Sequence, residues 1–444
     1  MMTSNRMNHS NHVDVAVIGG GPAGISACLE LSRSSSLKIG LFEGDPDLGG
    51  MPRSCHLFFG MRDQGRLQTG PAYARKLNSL IRKTGIDIHT EARVLEITSG
   101  GSRTPHFIQV LSPSGLNEYQ CRFVVLATGC FESPRSARKI PGARPAGIFT
   151  TGQLQQLVNQ RQLKPGRKAL IVGSEHVALS SVLTLKRAGM SIVGLVEKDL
   201  ELQTCLHPAR AMSGIFNFPI YKETSILSIQ GNRRVEAVDL ISKKKKKQWR
   251  VGCDTVILTG KFRPDSMLIE NTQIEQDKAT LGPVVDMNLM TSAPNIFAAG
   301  NLLRGADMHD LCALEGRLAA RSILKKLESN GRREFQSTRI SANPPICYVV
   351  PQKIILPQIK KRLFSKLFPW PAIQVERTLN NPVMEAWSGE TKIWSGGFRK
   401  LLANTRIPLP LEKFDWKRAD LRKGIDLKIR NSENDLIETL PKRR

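Results

Sequence analysis

A glycine-rich turn near the amino end constrains the fold of this 444-residue chain more than any other feature. The apolar run Asp14–Ile18 leads into the hexapeptide 19–24 (GGGPAG), and a helix-like segment follows. In a strand–turn–helix unit, Gly19 permits the tight turn, Gly21 lets the backbone approach a diphosphate, and Gly24 lets the helix pack on the strand. The helix N-terminus adds free N–H groups and the positive end of a dipole. This pattern predicts a dinucleotide-binding site.

A carboxylate supports the same prediction. Glu43 follows the next apolar run, 19 residues after Gly24. At about this spacing a carboxylate accepts hydrogen bonds from the hydroxyls of an adenosine ribose.

A second nucleotide-binding unit is predicted further along the chain. Segment 168–173 is typical of a buried strand, 174–188 of a helix, and 191–197 of the next strand. The glycine pattern is broken there, because Glu175 takes the place of the middle glycine. A carboxylate at that place repels phosphates by Coulomb force. We therefore expect a dinucleotide-binding fold that binds NAD(P) poorly or not at all.

The net charge of +26 is unevenly distributed. Residues 331–444 carry 23 Lys and Arg against 11 Asp and Glu. Such a field attracts anionic lipid, an acidic protein or nucleic acid, and a solubilising bias is the alternative explanation. Nucleic acid is not the favoured partner, and contact with an anionic membrane surface stays open. The run Lys243–Lys247 lies between two strand-like segments, which favours a solvated hairpin tip.

The carboxyl-terminal quarter differs from the rest of the chain in its sequence pattern, because short strand-like segments are separated there by Pro and Gly. We expect a small β-rich domain there. Its tryptophans, Trp370, Trp387, Trp394 and Trp416, fit either its core or a partner interface.

Cysteine usage and hydropathy restrict the class of protein. The eight cysteines include no CxxC pair, which argues against a zinc ribbon, a cysteine-ligated cluster or a thioredoxin-type dithiol; no metal site is predicted. No apolar stretch of about 18 residues is present, and the polar start lacks a signal core. These features predict a cytoplasmic protein without a transmembrane segment.

The order of these motifs resembles the two-domain flavin oxidoreductases of the pyridine-nucleotide disulfide reductase superfamily. The resemblance rests on the first glycine turn, Ala127-Thr128-Gly129, the second nucleotide unit and segment 294–301 (PNIFAAGN). Segments 134–142, 173–177 and 312–317 are similar to flavin subunits of opine oxidase, hydrogen cyanide synthase and dye-linked amino-acid dehydrogenases. The implied fold is α/β, with an FAD-binding domain (1–130 and 263–330), an inserted NAD(P)-binding-like domain (131–262), and the β-rich domain (331–444).

The resemblance implies FAD as cofactor. The residues it implies around FAD are Gly19, Gly21, Pro22, Ala23 and Gly24 at the diphosphate, Glu43 at the ribose, Gly50 and Met51 at the phosphate–ribityl region, Val94 at the adenine, Thr128 and Gly129 over the cofactor, and Gly300, Asn301, Cys312 and Ala313 toward the flavin. Asn301 departs from the family's usual Asp, although its carbonyl oxygen still accepts a hydrogen bond. The helix that contains Cys312 would direct its N-terminus at the electron-rich edge of the flavin.

The sequence contains few motifs that identify catalytic residues, because hydride transfer to a flavin requires mainly a well-placed substrate C–H bond. Cys55 and His56 follow the loop 49–51 (GGM), here called the flavin loop because the resemblance places it beside the cofactor. They are candidates for a thiol and a proton carrier, against structural roles for both. Arg53 fits either a substrate carboxylate or the surface. His309 is a further candidate, against a place at the helix start, where Asp310 fits an N-cap.

Two functions of different classes follow. The first is an FAD-dependent subunit of a multi-subunit dehydrogenase or oxidase that acts on a small amine or hydroxy compound, or relays its electrons. The resemblance implies a partner with an iron–sulfur cluster or a second flavin. An NAD(P)H-dependent flavin reductase is the alternative within the enzyme class. The second is a non-catalytic scaffold that recruits a partner through its basic C-terminal domain.

Overall fold

The computed structural model describes residues 11–34, 36–204, 206–328, 337–356, 371–403 and 405–431. Trp370 lies outside these residues. The α-helices in the described part of the chain are α1 (Pro22–Leu31), α2 (Met61–Gln64), α3 (Gly70–Ile81), α4 (Thr151–Gln155), α5 (His176–Arg187), α6 (Leu206–Phe216), α7 (Met267–Glu270) and α8 (His309–Glu328).

The amino-terminal region forms a mixed sheet. Its strands are β1 (Asn11–Ile18), β2 (Ile39–Phe42), β5 (Asp87–His89), β6 (Arg93–Thr98), β7 (His106–Ser112) and β8 (Gly115–Leu126), and the strands β3 (Phe58–Phe59) and β4 (Gln68–Thr69) form a separate pair. Strands β5, β2, β1 and β8 are parallel, and β8 continues antiparallel to β7 and β7 to β6. Val15 and Val17 are fully buried, as expected for a parallel strand covered on both faces.

The strands of the inserted region are β9 (Cys130–Glu132), β10 (Ile148–Thr150), β11 (Lys168–Val172), β12 (Ser191–Val196), β13 (Ile220–Tyr221), β14 (Thr224–Gln230), β15 (Ala237–Ser242), β16 (Gln248–Gly252) and β17 (Thr255–Leu258). Five of them form a second parallel sheet in the order β10-β17-β11-β12-β13. Strands β14, β15 and β16 form an antiparallel sheet. The run Lys243–Lys247 is the exposed connection from β15 to β16, as its sequence predicts.

The chain crosses between the two sheets twice at one place. Strand β9 leaves the first sheet, and β18 (Phe262–Pro264) returns antiparallel to it. Strand β19 (Ile296–Ala298) then joins β8 in parallel, and α8 packs on α1. The first sheet is thus built from two separate stretches of sequence.

The described strands of the carboxyl-terminal region are β20 (Ser337–Ala342), β21 (Ile346–Val350), β22 (Lys353–Ile355), β23 (Ala372–Val375), β24 (Leu379–Asn380), β25 (Pro382–Ser388), β26 (Thr391–Gly397), β27 (Lys400–Leu401), β28 (Ile407–Pro408) and β29 (Ile425–Asn431). They form a five-stranded sheet in the order β22-β20-β29-β25-β26, a three-stranded sheet in the order β21-β23-β28 and the pair β24-β27, around a core of their own. Trp394 and Trp416 stack on Phe414 at that core, whereas Trp387 lies under the ammonium groups of two lysines. The predicted fold class is confirmed.

Candidate functional site: the glycine turn and its surroundings

The turn between β1 and α1 has the conformation that its glycines predict. Gly19 has φ +106°, and a Cβ atom there would lie 2.4 Å from the carbonyl oxygen of Ala127. A Cβ atom on Gly24 would lie 1.9 Å from the oxygen of Gly19. Neither position accepts a side chain without movement of the backbone, so both glycines serve close packing of turn, helix and β8.

Gly21 is different, because the space beside it is open. The nearest atom to a methyl group added at this position would be the Cα atom of Gly50, at 4.0 Å. Helix α1 begins at Pro22 without a side-chain cap and without an acidic residue in its first turn. Its first N–H groups are therefore available to an anion, and the helix dipole favours one. These features fit the diphosphate of a dinucleotide.

Glu43 faces the same turn. Its carboxylate accepts hydrogen bonds from the backbone N–H of Gly20 at 2.7 Å and of Asp45 at 2.8 Å. Burial raises the pKa of Glu43, and these two bonds oppose the rise. Each carboxylate oxygen keeps a free lone pair, as a ribose hydroxyl requires. The backbone oxygen of Glu43 also accepts a hydrogen bond from the backbone N–H of Ala92. This bond places the start of strand β6, which contains the buried Val94, next to the glycine turn.

Gly50 and Met51 follow in the next loop. Gly50 has φ +58°, and a Cβ atom there would lie 3.0 Å from the Cα atom of Gly21. Met51 is 36% exposed. Arg53 forms ion pairs with Asp45 and, at 3.7 Å, with Asp47. These ion pairs occupy the guanidinium within the chain, which argues against a substrate-binding role for Arg53, although its side chain is not the exposed one that a surface arginine would have.

The end of β8 is tied to the chain that returns from the inserted region. Thr128 donates its hydroxyl hydrogen to the carbonyl oxygen of Asp265 at 2.8 Å, and the backbone N–H of Asp265 donates to Gly129. Gly129 has φ +82°, and nothing lies within 4 Å of the place of its missing Cβ atom. The strand end is therefore held in place while one side of it stays open.

The segment before α8 packs on the first turn of α1. Gly300 has φ +76°, and a Cβ atom there would lie 2.9 Å from the Cβ atom of Ala23. The side-chain oxygen of Asn301 accepts hydrogen bonds from the backbone N–H of Asp307 at 2.9 Å and from the Cys312 thiol at 3.1 Å. Ala313 is fully buried. The structure thus brings the predicted residues around Gly21 and Gly300 together.

A second thiol reaches Asn301. Asn301 hydrogen-bonds the Cys130 thiol, although burial dominates and raises the pKa of Cys130 to about 12. Burial raises the pKa of Cys312 as well. Cys130 and Cys312 are 182 positions apart, and the absence of a CxxC motif gave no signal of their approach. Both are protonated at neutral pH, so neither is an activated nucleophile.

Four charged residues, here called the ion cluster, lie behind this segment: Arg304, Asp307, Glu315 and Arg406. Arg304 contacts Glu315 at 2.6 Å and Asp307 at 2.8 Å, and Arg406 contacts each of the same carboxylates at 3.1 Å. Burial would raise the pKa of Asp307, but the two arginines outweigh it and hold that pKa below its ordinary value. Sequence reasoning missed this cluster.

The predicted catalytic residues lie in two other places. The Cys55 sulfur is 3.5 Å from the hydroxyl of Ser180 on α5, and burial raises the pKa of this thiol. Burial, with Arg187, lowers the pKa of the adjacent His56. These contacts join the two nucleotide-type domains, which favours structural roles for both residues.

His309 lies at the start of α8. Its ring contacts that of Phe59, with centroids 4.5 Å apart, and burial lowers its pKa to about 4. It is therefore neutral at physiological pH. Asp310 is not the N-cap, because α8 starts one residue earlier, at His309. Its buried carboxylate accepts hydrogen bonds from the backbone N–H of Leu311 at 3.0 Å and of Arg62 at 3.3 Å. The carboxylate meets Arg62 because α2 packs against this end of α8.

Glu132 is a further residue that the sequence did not single out. It ends β9, and its Oε2 atom accepts from the backbone N–H of Gly152 at 2.7 Å, whereas Oε1 is buried without a hydrogen-bond partner. Burial raises its pKa to about 7. A Cβ atom on Gly152 would lie 3.5 Å from the end of the Met51 side chain, so Glu132 lies between the two nucleotide-type domains near the flavin loop.

The crevice of the inserted domain is occupied by its own side chains. Thr259 donates to the Glu175 carboxylate at 2.7 Å, and a Cβ atom on Gly173 or Gly260 would lie 2.6 Å or 2.1 Å from that carboxylate. The buried Glu197 at the end of β12, the counterpart of Glu43, accepts a hydrogen bond from Ser174. The groups that would bind a second dinucleotide are therefore engaged with each other.

Residues 13–316 match the family described as pyridine nucleotide-disulphide oxidoreductase. The chain belongs to this family. The match contains both glycine-turn units and the return segment through Gly300. It supports FAD as the cofactor, which the glycine turn and Glu43 fit, and it identifies the chain as an oxidoreductase of a flavoprotein family.

Relatives within the family include subunits of larger enzymes. The chain is 26% identical over 366 residues to hydrogen cyanide synthase subunit HcnB of Pseudomonas aeruginosa, which covers 73% of this chain and 75% of that protein. It is 25% identical over 352 residues to the glutamate synthase (NADPH) small chain of Escherichia coli, covering 71% and 68%. The NAD(P)H coenzyme A polysulfide/persulfide reductase of Pyrococcus horikoshii is 22% identical, and the matched part spans 62% of its length.

The fold is shared with thioredoxin reductase of T. acidophilum. That structure has a TM-score of 0.61 and 17% identity, and covers 72% of this chain and all of the other. No α-helix in the described residues is long and apolar enough to cross a membrane.

Proposed function

We propose that this chain is the FAD-containing subunit of a multi-subunit dehydrogenase or oxidase that acts on a small amine or hydroxy compound, or relays its electrons. The observation that carries the proposal is the contrast between the two nucleotide crevices. The first has an open backbone at Gly21 and an uncapped helix, whereas in the second Glu175 lies over Gly173 and Gly260. This contrast supports FAD binding without nicotinamide as the electron source.

Different residues of the chain would bind the cofactor and transfer protons. The first turn of α1 binds the diphosphate, Glu43 binds the ribose, and Gly300, Asn301 and the start of α8 face the flavin. FAD, when bound, accepts two electrons from the substrate. Glu132 is placed to exchange a proton at Oε1, because its pKa of about 7 lies at the working pH. Cys55 as a thiol and His56 and His309 as proton carriers are further candidates, although burial raises the pKa of Cys55 and lowers those of the two histidines.

The subunit names of two relatives support a partner chain. Hydrogen cyanide synthase subunit HcnB and the glutamate synthase small chain are by name parts of larger enzymes. We extend this to a partner that carries an iron–sulfur cluster or a second flavin. The basic C-terminal domain is proposed as the region that meets it, and an anionic membrane surface is the other candidate. A cytoplasmic location remains part of this proposal.

One experiment tests the cofactor and the electron source together. The full-length chain is purified, its visible spectrum is recorded, and the released cofactor is identified by chromatography. The flavin is then titrated without oxygen, with NADH, NADPH and dithionite in parallel. We expect bound FAD that dithionite bleaches and the two nicotinamides do not. Rapid bleaching by NADH or NADPH would favour the NAD(P)H-dependent reductase.

A second measurement addresses partners. Purification of the chain from its native cells, followed by mass spectrometry and metal analysis, is expected to yield additional redox subunits. A colourless chain without measurable affinity for FAD would overturn the enzyme proposal and favour the scaffold, whose partner binds the C-terminal domain.

A further inference from the structure

The ion cluster joins the C-terminal region to Gly300 and Asn301, here called the flavin-side segment because both are proposed to face the flavin. Arg406 precedes β28, well outside the part of the chain that matches the family, yet its guanidinium contacts Asp307 and Glu315 in the first domain at 3.1 Å each. The exposed fractions of the cluster's side chains lie between 0% and 13%. The contact is therefore buried between two domains.

Both acidic residues also hold the segment that the flavin would meet, Glu315 through its carboxylate and Asp307 through its backbone N–H. Glu315 accepts a hydrogen bond from the backbone N–H of Gly300 at 3.0 Å. The backbone N–H of Asp307 donates to the side-chain oxygen of Asn301 at 2.9 Å. Each acid thus links one contact of Arg406 to one residue of the flavin-side segment.

Arginine is suited to this place by its shape. Nη1 contacts Asp307 while Nη2 contacts Glu315, so one planar group fixes the separation of the two acids. A lysine ammonium is a point charge on a flexible stem and does not reproduce both contacts with fixed geometry. Without Arg406, Arg304 alone would face two buried carboxylates, which is costly unless one is protonated or moves toward water.

We infer that Arg406 is a positioning residue for FAD, which acts through Glu315 and Asp307 to hold Gly300 and Asn301 in the conformation that retains the cofactor. This inference rests on the proposed function. It makes the C-terminal domain part of the cofactor site, although no residue of that domain belongs to the glycine-turn unit.

The test uses the full-length chain with Arg406→Lys, Arg406→Met and the matched control Arg399→Lys. Arg399 is an exposed arginine of the same domain. For each flavin-free protein we would measure the dissociation constant for FAD by fluorescence quenching, the melting temperature, and amide hydrogen exchange in peptides that contain Gly300. We expect Arg406→Lys to weaken FAD binding by about tenfold and to speed exchange at Gly300, because a lysine does not keep both contacts in fixed geometry and the two acids become looser. Arg399→Lys is expected to change neither quantity.

The outcomes separate this inference from the proposed function. If the wild-type chain binds FAD and Arg406→Lys binds it equally well, with unchanged exchange at Gly300, the positioning role is refuted and the proposed function stands. A lower melting temperature with unaltered FAD affinity would assign Arg406 a purely structural role and also refute the inference. If the wild-type chain does not bind FAD, both fail. Should Arg406→Met not fold, Arg406→Lys, which keeps the charge, still decides the question.

Discussion

Alanine substitutions at Gly21 and Gly24 are expected to have separable effects, although the two residues lie in one turn. Gly21 has φ −81° and ψ −174°, a conformation open to any residue, and its added methyl group would meet nothing closer than 4.0 Å. The methyl group of Gly24→Ala would lie 1.9 Å from the oxygen of Gly19. The first change alters the surface that would bind the diphosphate, whereas the second alters the packing of α1 on its turn.

The magnitudes follow from these distances. Relief of the clash at residue 24 requires a shift of roughly 1 Å, and overpacking of this kind costs about 1–3 kcal/mol. The melting temperature should therefore fall by several degrees. At residue 21 two effects on the free energy of unfolding oppose each other. Loss of the glycine N-cap lowers it by about 0.5–1 kcal/mol, and the reduced entropy of the unfolded chain raises it by about as much, so the two nearly cancel. Loss of one hydrogen bond to a charged phosphate costs about 1.5–3 kcal/mol, or about 10- to 150-fold in FAD affinity.

The assay combines thermal denaturation of the flavin-free proteins with fluorescence titration of FAD. Gly21→Ala should melt like the wild type and bind FAD at least about tenfold more weakly. Gly24→Ala should melt several degrees lower. Wild-type affinity in Gly21→Ala would refute the assignment of the diphosphate to this turn, and wild-type stability in Gly24→Ala would refute the packing argument.

Three further outcomes are expected. For Glu132, folding raises the pKa from 4.5 to about 7, so the native state binds the proton more tightly and loses stability as pH rises from about 4.5 to 7. Denaturant titrations of the flavin-free wild type should show the free energy of unfolding fall by up to about 3 kcal/mol over this range, and Glu132→Gln should lack this fall. Parallel pH curves for the two proteins would contradict the argument. Tyr73→Phe removes a 2.9 Å hydrogen bond to the buried Asp63 carboxylate, whose other oxygen has no hydrogen-bond partner. The free energy of unfolding, from the same measurement, should fall by about 1–3 kcal/mol. An unchanged value would mean that the bond contributes nothing. Cys55 should resist iodoacetamide in the native protein and react after denaturation, as mass spectrometry of the alkylated peptides would show; fast native labelling would restore it as a reactive thiol.

Local patterns predicted the features that depend on residues close in sequence. The glycine turn, Glu43 and the hairpin tip at Lys243–Lys247 each follow from a short motif with a fixed geometry. Glu175 stands out because it interrupts such a motif. At these positions the geometry of a local strand–turn–helix unit or hairpin decides the residue type, and the neighbouring residues display that geometry.

Other features depend on contacts between distant parts of the chain. Arg406 meets Glu315 across 91 positions, and no pattern around Arg406 marks it as buried. Asp310 resembles an N-cap locally, but α2 packs against the helix end and engages its carboxylate instead. Cys55 follows the flavin loop in sequence, yet its thiol contacts α5 of the inserted domain. In each case tertiary packing, which the sequence does not display, set the environment.

The ladder between β9 and β18 has a consequence for modularity. Cys130 lies opposite Pro264 and Glu132 opposite Phe262, so the two points where the inserted domain leaves and rejoins the first one are neighbours in space. A two-residue turn such as Asn-Gly can connect antiparallel strands at this separation. The first domain could therefore close without residues 133–261, and its glycine turn would keep every strand of its own sheet.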